Sequence, residues 1–199
     1  MRLAVLASGS GSNFQALVDS DDLKKADVKI VCLFCNVPGA KVIERAARAG
    51  VPVEILSHKG FQNREEYDKK VLELLAPHKP DLIALAGYMR MLSPAFLRAF
   101  PHKILNIHPA LLPSFPGVHG IKDAFEAKVK VTGVTVHLVD EGMDTGPIVI
   151  QENVPIDPAD TLESLEIKIH AVEHQLYPKA IRLFAEGKAR VEGNKVILP

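Results

Sequence analysis

The amino-acid sequence predicts an α/β fold: a mostly parallel, twisted sheet with helices on both faces, antiparallel strands and a long helix near the C-terminus. Three observations lead there. Short apolar runs alternate with helix-patterned stretches through the first two-thirds of the chain, which implies a parallel sheet covered on both sides. The last third changes style, with two longer strand-like runs, VTGVTVHLVD and PIVIQENVPI, joined by EGMDTG. A helical stripe then follows over 161–186, where Leu162, Leu165, Ile169, Val172 and Leu176 recur at three- and four-residue steps.

The elements follow one another in order. The apolar runs occupy 3–7, 28–34, 53–56, 82–86 and 104–107. Helical patterns lie near 14–18, 42–49, 65–75 and 94–100. These helices stop at Gly or Pro: Gly50 and Pro52 after one, Pro77 and Pro80 after another, Pro101 after the last. Their connections are expected to be right-handed, which makes the arrangement Rossmann-like. Pro178 falls inside the long helical pattern, where a proline kinks or breaks a helix. Residues 189–199 read as a terminal hairpin turning at Glu192-Gly193-Asn194. With no internal repeat, low-complexity segment or linker, one domain spanning 1–199 is expected.

A chain of 199 residues, 47% hydrophobic and 24% charged, can bury a sizeable core. Its 24 basic and 24 acidic residues cancel. Without a basic stripe, neither nucleic acid nor an acidic membrane surface has an electrostatic footprint as a partner. The N-terminal apolar run is too short for a secretory signal or a membrane span, and no later run is long enough. A cytoplasmic protein acting on small molecules is the expectation. Cys32 and Cys35 have C-x-x-C spacing but lie inside the run VKIVCLFCN. Residues three apart on a strand point to opposite faces, and no helix start follows to activate a thiol. Two packed thiols are expected, not a redox pair or a zinc site.

Directly after the first run comes Ser8-Gly9-Ser10-Gly11-Ser12-Asn13, and then a helix. Glycines let the backbone turn tightly and approach an anion. Free N–H groups at a helix start favour phosphate, and the serines and Asn13 add polar groups. A dinucleotide loop would carry a third glycine where Phe14 stands, and a carboxylate where the second run ends in Asn36. The loop is therefore a candidate for a single phosphate. A ligand-free strand–helix turn has the same pattern.

The fifth run leads into Asn106-Ile107-His108-Pro109. Alternation places Asn106 and His108 on one face, about 6–7 Å apart, at the strand end where open parallel sheets bind ligands. An amide beside an imidazole suits an oxyanion formed in acyl transfer, and the imidazole can donate a proton. A purely structural pair is the alternative. The rigid segment LLPSFPG follows. Further on, Asp140-Glu141-Gly142-Met143-Asp144-Thr145-Gly146-Pro147 brings three carboxylates to another strand end. One that reached His108 would favour the imidazolium form; otherwise the loop is a solvated acidic turn.

Together, Ser-Gly-Ser-Gly-Ser-Asn after the first run, Asn-Ile-His-Pro-x-Leu-Leu-Pro at 106–113 and Met-Asp-Thr-Gly-Pro at 143–147 resemble the folate-dependent formyltransferases. The resemblance covers nearly the whole chain, from residue 1 to the helix carrying Glu173. It implies that Asn106, His108 and Asp144 form a catalytic trio. It implies a ribonucleotide site at Gly11, Ser12, Asn13 and Glu173. It implies a folate site at Arg64, Met89, Arg90, Met91, Leu92, Asn106, Val139, Asp140 and Glu141. The implied reaction passes the formyl group of 10-formyltetrahydrofolate, a cosubstrate, to the amine of 5-phosphoribosyl-glycinamide in purine biosynthesis. The amine attacks directly, through a tetrahedral intermediate and without a metal. Residues 1–100 would be the phosphate and ribonucleotide half, and 101–199 the catalytic and folate half, of a monomer or homodimer. The stretch 114–122 would be a mobile loop over the folate, with no role carried onto His119. His137 reads as a hydrogen-bonded core histidine, and His58, His78 and His102 as surface residues.

Four rival readings remain. Hydrolysis of formyltetrahydrofolate would use the same trio with water as the nucleophile. Enzymes of that kind carry an N-terminal regulatory domain, whereas here the first strand begins at residue 2. Formylation of a charged tRNA would call for a C-terminal domain, and here no basic tail is present. His170-Ala-Val-Glu173-His174 also fits an inverted zinc-protease motif, with two histidines on one helix face but little chain left for a third ligand. A folate or nucleotide sensor would not need the full trio.

Overall fold

The computed structural model describes residues 1–199. Seven strands form one sheet: β1 (Arg2–Ala7), β2 (Lys29–Cys35), β3 (Val53–Ile55), β4 (Leu82–Leu85), β5 (Ile104–His108), β6 (Val131–Leu138) and β7 (Ile148–Pro155). Their spatial order is β3-β2-β1-β4-β5-β6-β7. The first five pair in parallel, and β6 runs antiparallel to both its neighbours. The helices are α1 (Ser12–Asp19), α2 (Asp21–Lys25), α3 (Lys41–Arg48), α4 (Arg64–Leu75), α5 (Pro94–Ala99), α6 (Gly120–Glu126) and α7 (Leu162–Ala185). A small hairpin, β8 (Arg190–Glu192) and β9 (Lys195–Ile197), ends the chain. The architecture is the Rossmann-like one expected.

Side-chain alternation along the strands creates two cores. Leu3, Val5 and Ala7 of β1 pack with Phe14 of α1, Val42 of α3, and Ile169 and Tyr177 of α7. Ala4 and Leu6 face the other way, onto Tyr67 and Val71 of α4 and Phe96 of α5. The two cysteines divide likewise: Cys32 joins the second core and Cys35 the first. Both are buried and unbonded, and burial pushes the Cys32 thiol up to about 12.

Local chemistry sets the helix ends. Asn63 caps α4 by accepting the Glu66 N–H at 2.9 Å. Ser93 caps α5, with Pro94 at the first helical position, where its missing N–H costs nothing. Thr161 and Ser164 form a reciprocal capping box at the start of α7. That helix continues through Pro178, which is buried. Packing on this face holds the helix together where the proline cannot donate a backbone bond. The Tyr177 hydroxyl fastens it to the sheet, 2.9 Å from the Leu85 carbonyl and 3.0 Å from that of Leu105.

Two expectations change. The stretch read as a mobile loop over 114–122 becomes helical from Gly120, the start of α6. Buried Gly120 and Ala124 dock that short helix on the body of the protein. His78 is half-buried rather than on the surface, with its Nε2 2.9 Å from Glu54 Oε1. His58 and His102 are exposed, as expected.

Candidate active site

The strand order reverses between β1 and β4. The crevice beyond the carboxyl ends of strands at such a switch point is where open sheets bind ligands. Here the first phosphate-loop candidate and the segment after β4 meet. The Ser8 N–H donates to the Gly87 carbonyl at 3.1 Å, and the Met89 N–H donates to Ser8 Oγ at 2.9 Å. Ser8 Oγ in turn donates to Asn36 Oδ1 at 2.6 Å. Arg45 Nε on α3 holds the loop from the other side, donating to the Ser10 carbonyl at 2.9 Å. Gly11 sits at φ +75°, and a Cβ there would stand 2.5 Å from Val42 Cγ2. Glycine is therefore required for both conformation and space. No side chain caps α1 at its start, so its first N–H groups are free for an anion.

A cavity of about 300 Å³ opens at this point. Its wall brings together Gly11, Ser12, Asn13 and Glu173, the four residues expected there, and adds His170. Glu173 is only 4% exposed. Its Oε2 accepts from Asn13 Nδ2 at 3.1 Å and lies 2.8 Å from His170 Nδ1. The hydrogen bond to Glu173 holds the His170 imidazolium above the usual histidine range, against the opposing effect of burial. The His174 ring stacks on that of His170, centroids 6.4 Å apart, and burial pushes its pKa down. No group of three or more His, Cys, Asp or Glu side chains is placed to hold a metal ion.

A second cavity of about 300 Å³ adjoins the first, sharing Gly87, Met89, Ile107 and Pro109 with it. Of the residues expected to bind folate, Met89, Arg90, Met91, Leu92, Asn106, Val139 and Asp140 line it. Arg64 and Glu141 are not in its wall. Arg64 begins α4, 3.9 Å from Glu65, and Glu141 is exposed beside the lining residues Asp140 and Gly142. Leu85, Tyr88 and Val118, which the sequence did not single out, complete an apolar wall with Met143 of the 140–147 loop. Met89, Val118 and Met143 are exposed, leaving apolar surface uncovered for a flat ring. Each cavity draws on both halves of the chain: α7 supplies Glu173 to the first, and Leu85 and residues 87–92 line the second.

The trio lies in the second cavity. Asn106 and His108 of β5 stand opposite His137 and Thr135 of β6. Asp144 comes from the β6–β7 loop at φ +56°, a conformation Asp tolerates better than most residues. Its Oδ2 is 3.5 Å from His108 Nδ1 and accepts the Gly117 N–H at 2.7 Å. Its Oδ1 is 3.5 Å from both Asn106 Nδ2 and His137 Nε2. Burial pushes the Asp144 carboxyl up. The His137 ring, the Gly117 N–H and the charge of the two imidazoles more than offset this, keeping it below the usual carboxylate range. The His108 Nε2 lies 2.8 Å from the Phe115 carbonyl.

His137 makes a contact that sequence reasoning did not anticipate. It is buried and hydrogen-bonded as expected, with Nδ1 2.8 Å from the Leu138 carbonyl. Yet its Nε2 faces the trio, 3.1 Å from Asn106 Nδ2. Only the β5–β6 register reveals this, and no residue pattern encoded it.

Thus a carboxylate, two imidazoles and an amide converge in the cavity with apolar walls, next to the one equipped for an anion. No helix of the structure is long and apolar enough to cross a membrane.

Comparison with known proteins agrees with this geometry. Residues 1–181 match the family model described as formyl transferase. The phosphoribosylglycinamide formyltransferase of Bacillus subtilis (strain 168) is 48% identical over 181 residues, 91% of this chain and 93% of that protein. The trifunctional purine biosynthetic protein adenosine-3 of Drosophila melanogaster is 45% identical over 192 residues, 96% of this chain but 14% of that longer protein. The crystal structure of glycinamide ribonucleotide transformylase 1 from Symbiobacterium toebii superposes with a TM-score of 0.96 at 43% identity, covering 100% of this chain and 93% of that one. The chain belongs to the formyl transferase family, in the group of the phosphoribosylglycinamide formyltransferases.

Proposed function

We propose that this protein transfers the formyl group of 10-formyltetrahydrofolate to the amine of 5-phosphoribosyl-glycinamide, giving the N-formyl product and tetrahydrofolate in purine biosynthesis. The observation that carries this reading is that Asn106, His108 and Asp144 line one cavity, and that cavity shares Gly87, Met89, Ile107 and Pro109 with the one holding Gly11, Ser12, Asn13 and Glu173. In it, the phosphate takes the free N–H groups of Gly11, Ser12 and Asn13, and Glu173 receives the ribosyl-glycinamide. The pterin enters the second cavity, between Met89–Leu92 and Val139–Asp140. Arg64, outside the wall, is a candidate for the folate's carboxylates, and Glu141 flanks the rim. The work is done on small molecules in the cytoplasm, by a monomer or a homodimer, and needs no metal.

The chemistry is then direct. The amine lone pair attacks the formyl carbon, a C–N bond forms, and the carbonyl oxygen becomes an oxyanion. Asn106 Nδ2 donates to it, together with the His108 N–H that now faces the Phe115 carbonyl. Such donors, fixed before the charge develops, are each worth about 10²–10³ in rate. The Asp144 carboxylate supports the charged ring. Collapse of the intermediate breaks the bond to the folate nitrogen, which ends with the proton the amine loses.

The test is a transfer assay on purified protein with both substrates, following formate as well. The expected result is formylated ribonucleotide and tetrahydrofolate in equal amounts, without formate. Formate release with no formylated ribonucleotide would overturn the reading in favour of hydrolysis.

A further inference from the structure

We propose that Thr135 and Gln151 are positioning residues for this reaction, rooting the loop 109–117 whose backbone holds both His108 and Asp144. The inference rests on the catalytic reading of that pair. Thr135 stands opposite His108 in the β5–β6 register, and Gln151 opposite Thr135 in the β6–β7 register. Cross-strand partners share a face, so the three side chains form a row across three strands.

After His108 the chain leaves the sheet through Pro109, which has no N–H. The next backbone groups turn back to side chains of the sheet. Thr135 Oγ1 donates to the Ala110 carbonyl at 2.7 Å and accepts the Leu112 N–H at 3.1 Å. Gln151 Nε2 donates to the Leu112 carbonyl at 2.9 Å and to Thr135 Oγ1 at 2.8 Å. The hydroxyl is saturated, with one bond donated and two accepted. A carbonyl can only accept, so Leu112 fixes which end of the Gln151 amide points inward.

From this root the loop returns over the site. Phe115 brings its carbonyl to 2.8 Å from His108 Nε2, and Gly117 donates its N–H to Asp144 Oδ2 at 2.7 Å. Both residues sit in the left-handed region, at φ +55° and +94°. For Phe115, at least, that conformation persists only where its surroundings impose it. Thr135 is 0% exposed. Packing alone would be met by a valine of the same shape, so the contribution specific to threonine is its hydroxyl.

The experiment measures steady-state transfer by Thr135→Val, Thr135→Ser and Gln151→Leu, and by Thr135→Val combined with Asp144→Asn. A displacement near 1 Å at reacting groups costs about 10²-fold. Thr135→Val is expected to lower kcat by about that factor with KM for both substrates nearly unchanged. Thr135→Ser, which keeps the hydroxyl, is expected to restore most of it, and Gln151→Leu to lose less in the same direction. In the Asp144→Asn background, Thr135→Val is expected to add little, because groups acting as a unit are not additive. Wild-type kcat in Thr135→Val, failure of serine to rescue it, or a full additional loss in the Asp144→Asn background would each overturn the inference. Should Thr135→Val not fold, Gln151→Leu on the edge strand decides, with wild-type kcat counting against the inference. If Asp144→Asn alone keeps its kcat, the catalytic reading fails and the inference falls with it. If Asp144→Asn is impaired while Thr135→Val and Gln151→Leu are not, the inference alone fails.

Discussion

Asp144 Oδ2 lies 3.5 Å from His108 Nδ1, while the other nitrogen of the same ring lies 2.8 Å from the Phe115 carbonyl. Both neighbours are acceptors. An imidazolium satisfies the two at once, whereas a neutral ring can donate to only one. The carboxylate is itself kept below the usual range despite burial, so it is charged where its charge is useful.

Gly11 gives the first prediction. Any side chain there meets Val42 and a positive φ together. Gly11→Ala is expected to cost about 1–3 kcal/mol of stability, read from denaturant unfolding. Adding Val42→Ala is expected to recover only part, since the backbone strain remains. Full recovery would show that φ does not matter.

Asn13 touches Glu173 in the first cavity and takes no part in the second. Asn13→Ala is expected to weaken ribonucleotide binding by about 10-fold, the scale of one hydrogen bond to a charged group. Folate affinity should stay as it was. Titration calorimetry with each substrate checks the split, and an equal loss for both would misplace the ribonucleotide site.

His170 predicts a pH effect. Its folded-state pKa is raised, chiefly by the hydrogen bond to Glu173. The stabilisation from that pair is therefore fully present below about 6.5, the ordinary histidine value, and is lost as pH rises through the folded value. Tm followed upward from pH 6 is expected to fall less steeply in His170→Gln than in the parent. Identical slopes would show that the pair contributes nothing to stability.

Much of this site was readable along the chain. Two-residue alternation was enough to put Asn106 and His108 on one face, and the glycine pattern before Phe14 was enough to prefer one phosphate over a dinucleotide. What the sequence withheld depends on register and on loop paths. His137 faces Asn106 because of how β5 and β6 align, and nothing in VTGVTVHLVD distinguishes the neighbour of Asn106 from that of His108. A bulge between Val136 and His137 in the pairing with β7 shifts the register further. Val118 and Met143 reach the second cavity from separate loops that meet only in the folded chain. Arg64 shows the converse, a residue matched by motif that stands outside the cavity wall. The short helices α2 and α6 carry too few turns to produce a period.

The most direct test of the account is single-turnover formyl transfer by Asp144→Asn, with both substrates bound at saturation. The chemical step is expected to slow by about 10²-fold or more, while the Kd of each substrate stays within about twofold of the parent. A chemical step at the parent's rate would contradict the central claim that Asp144 and His108 act together on the reacting carbonyl.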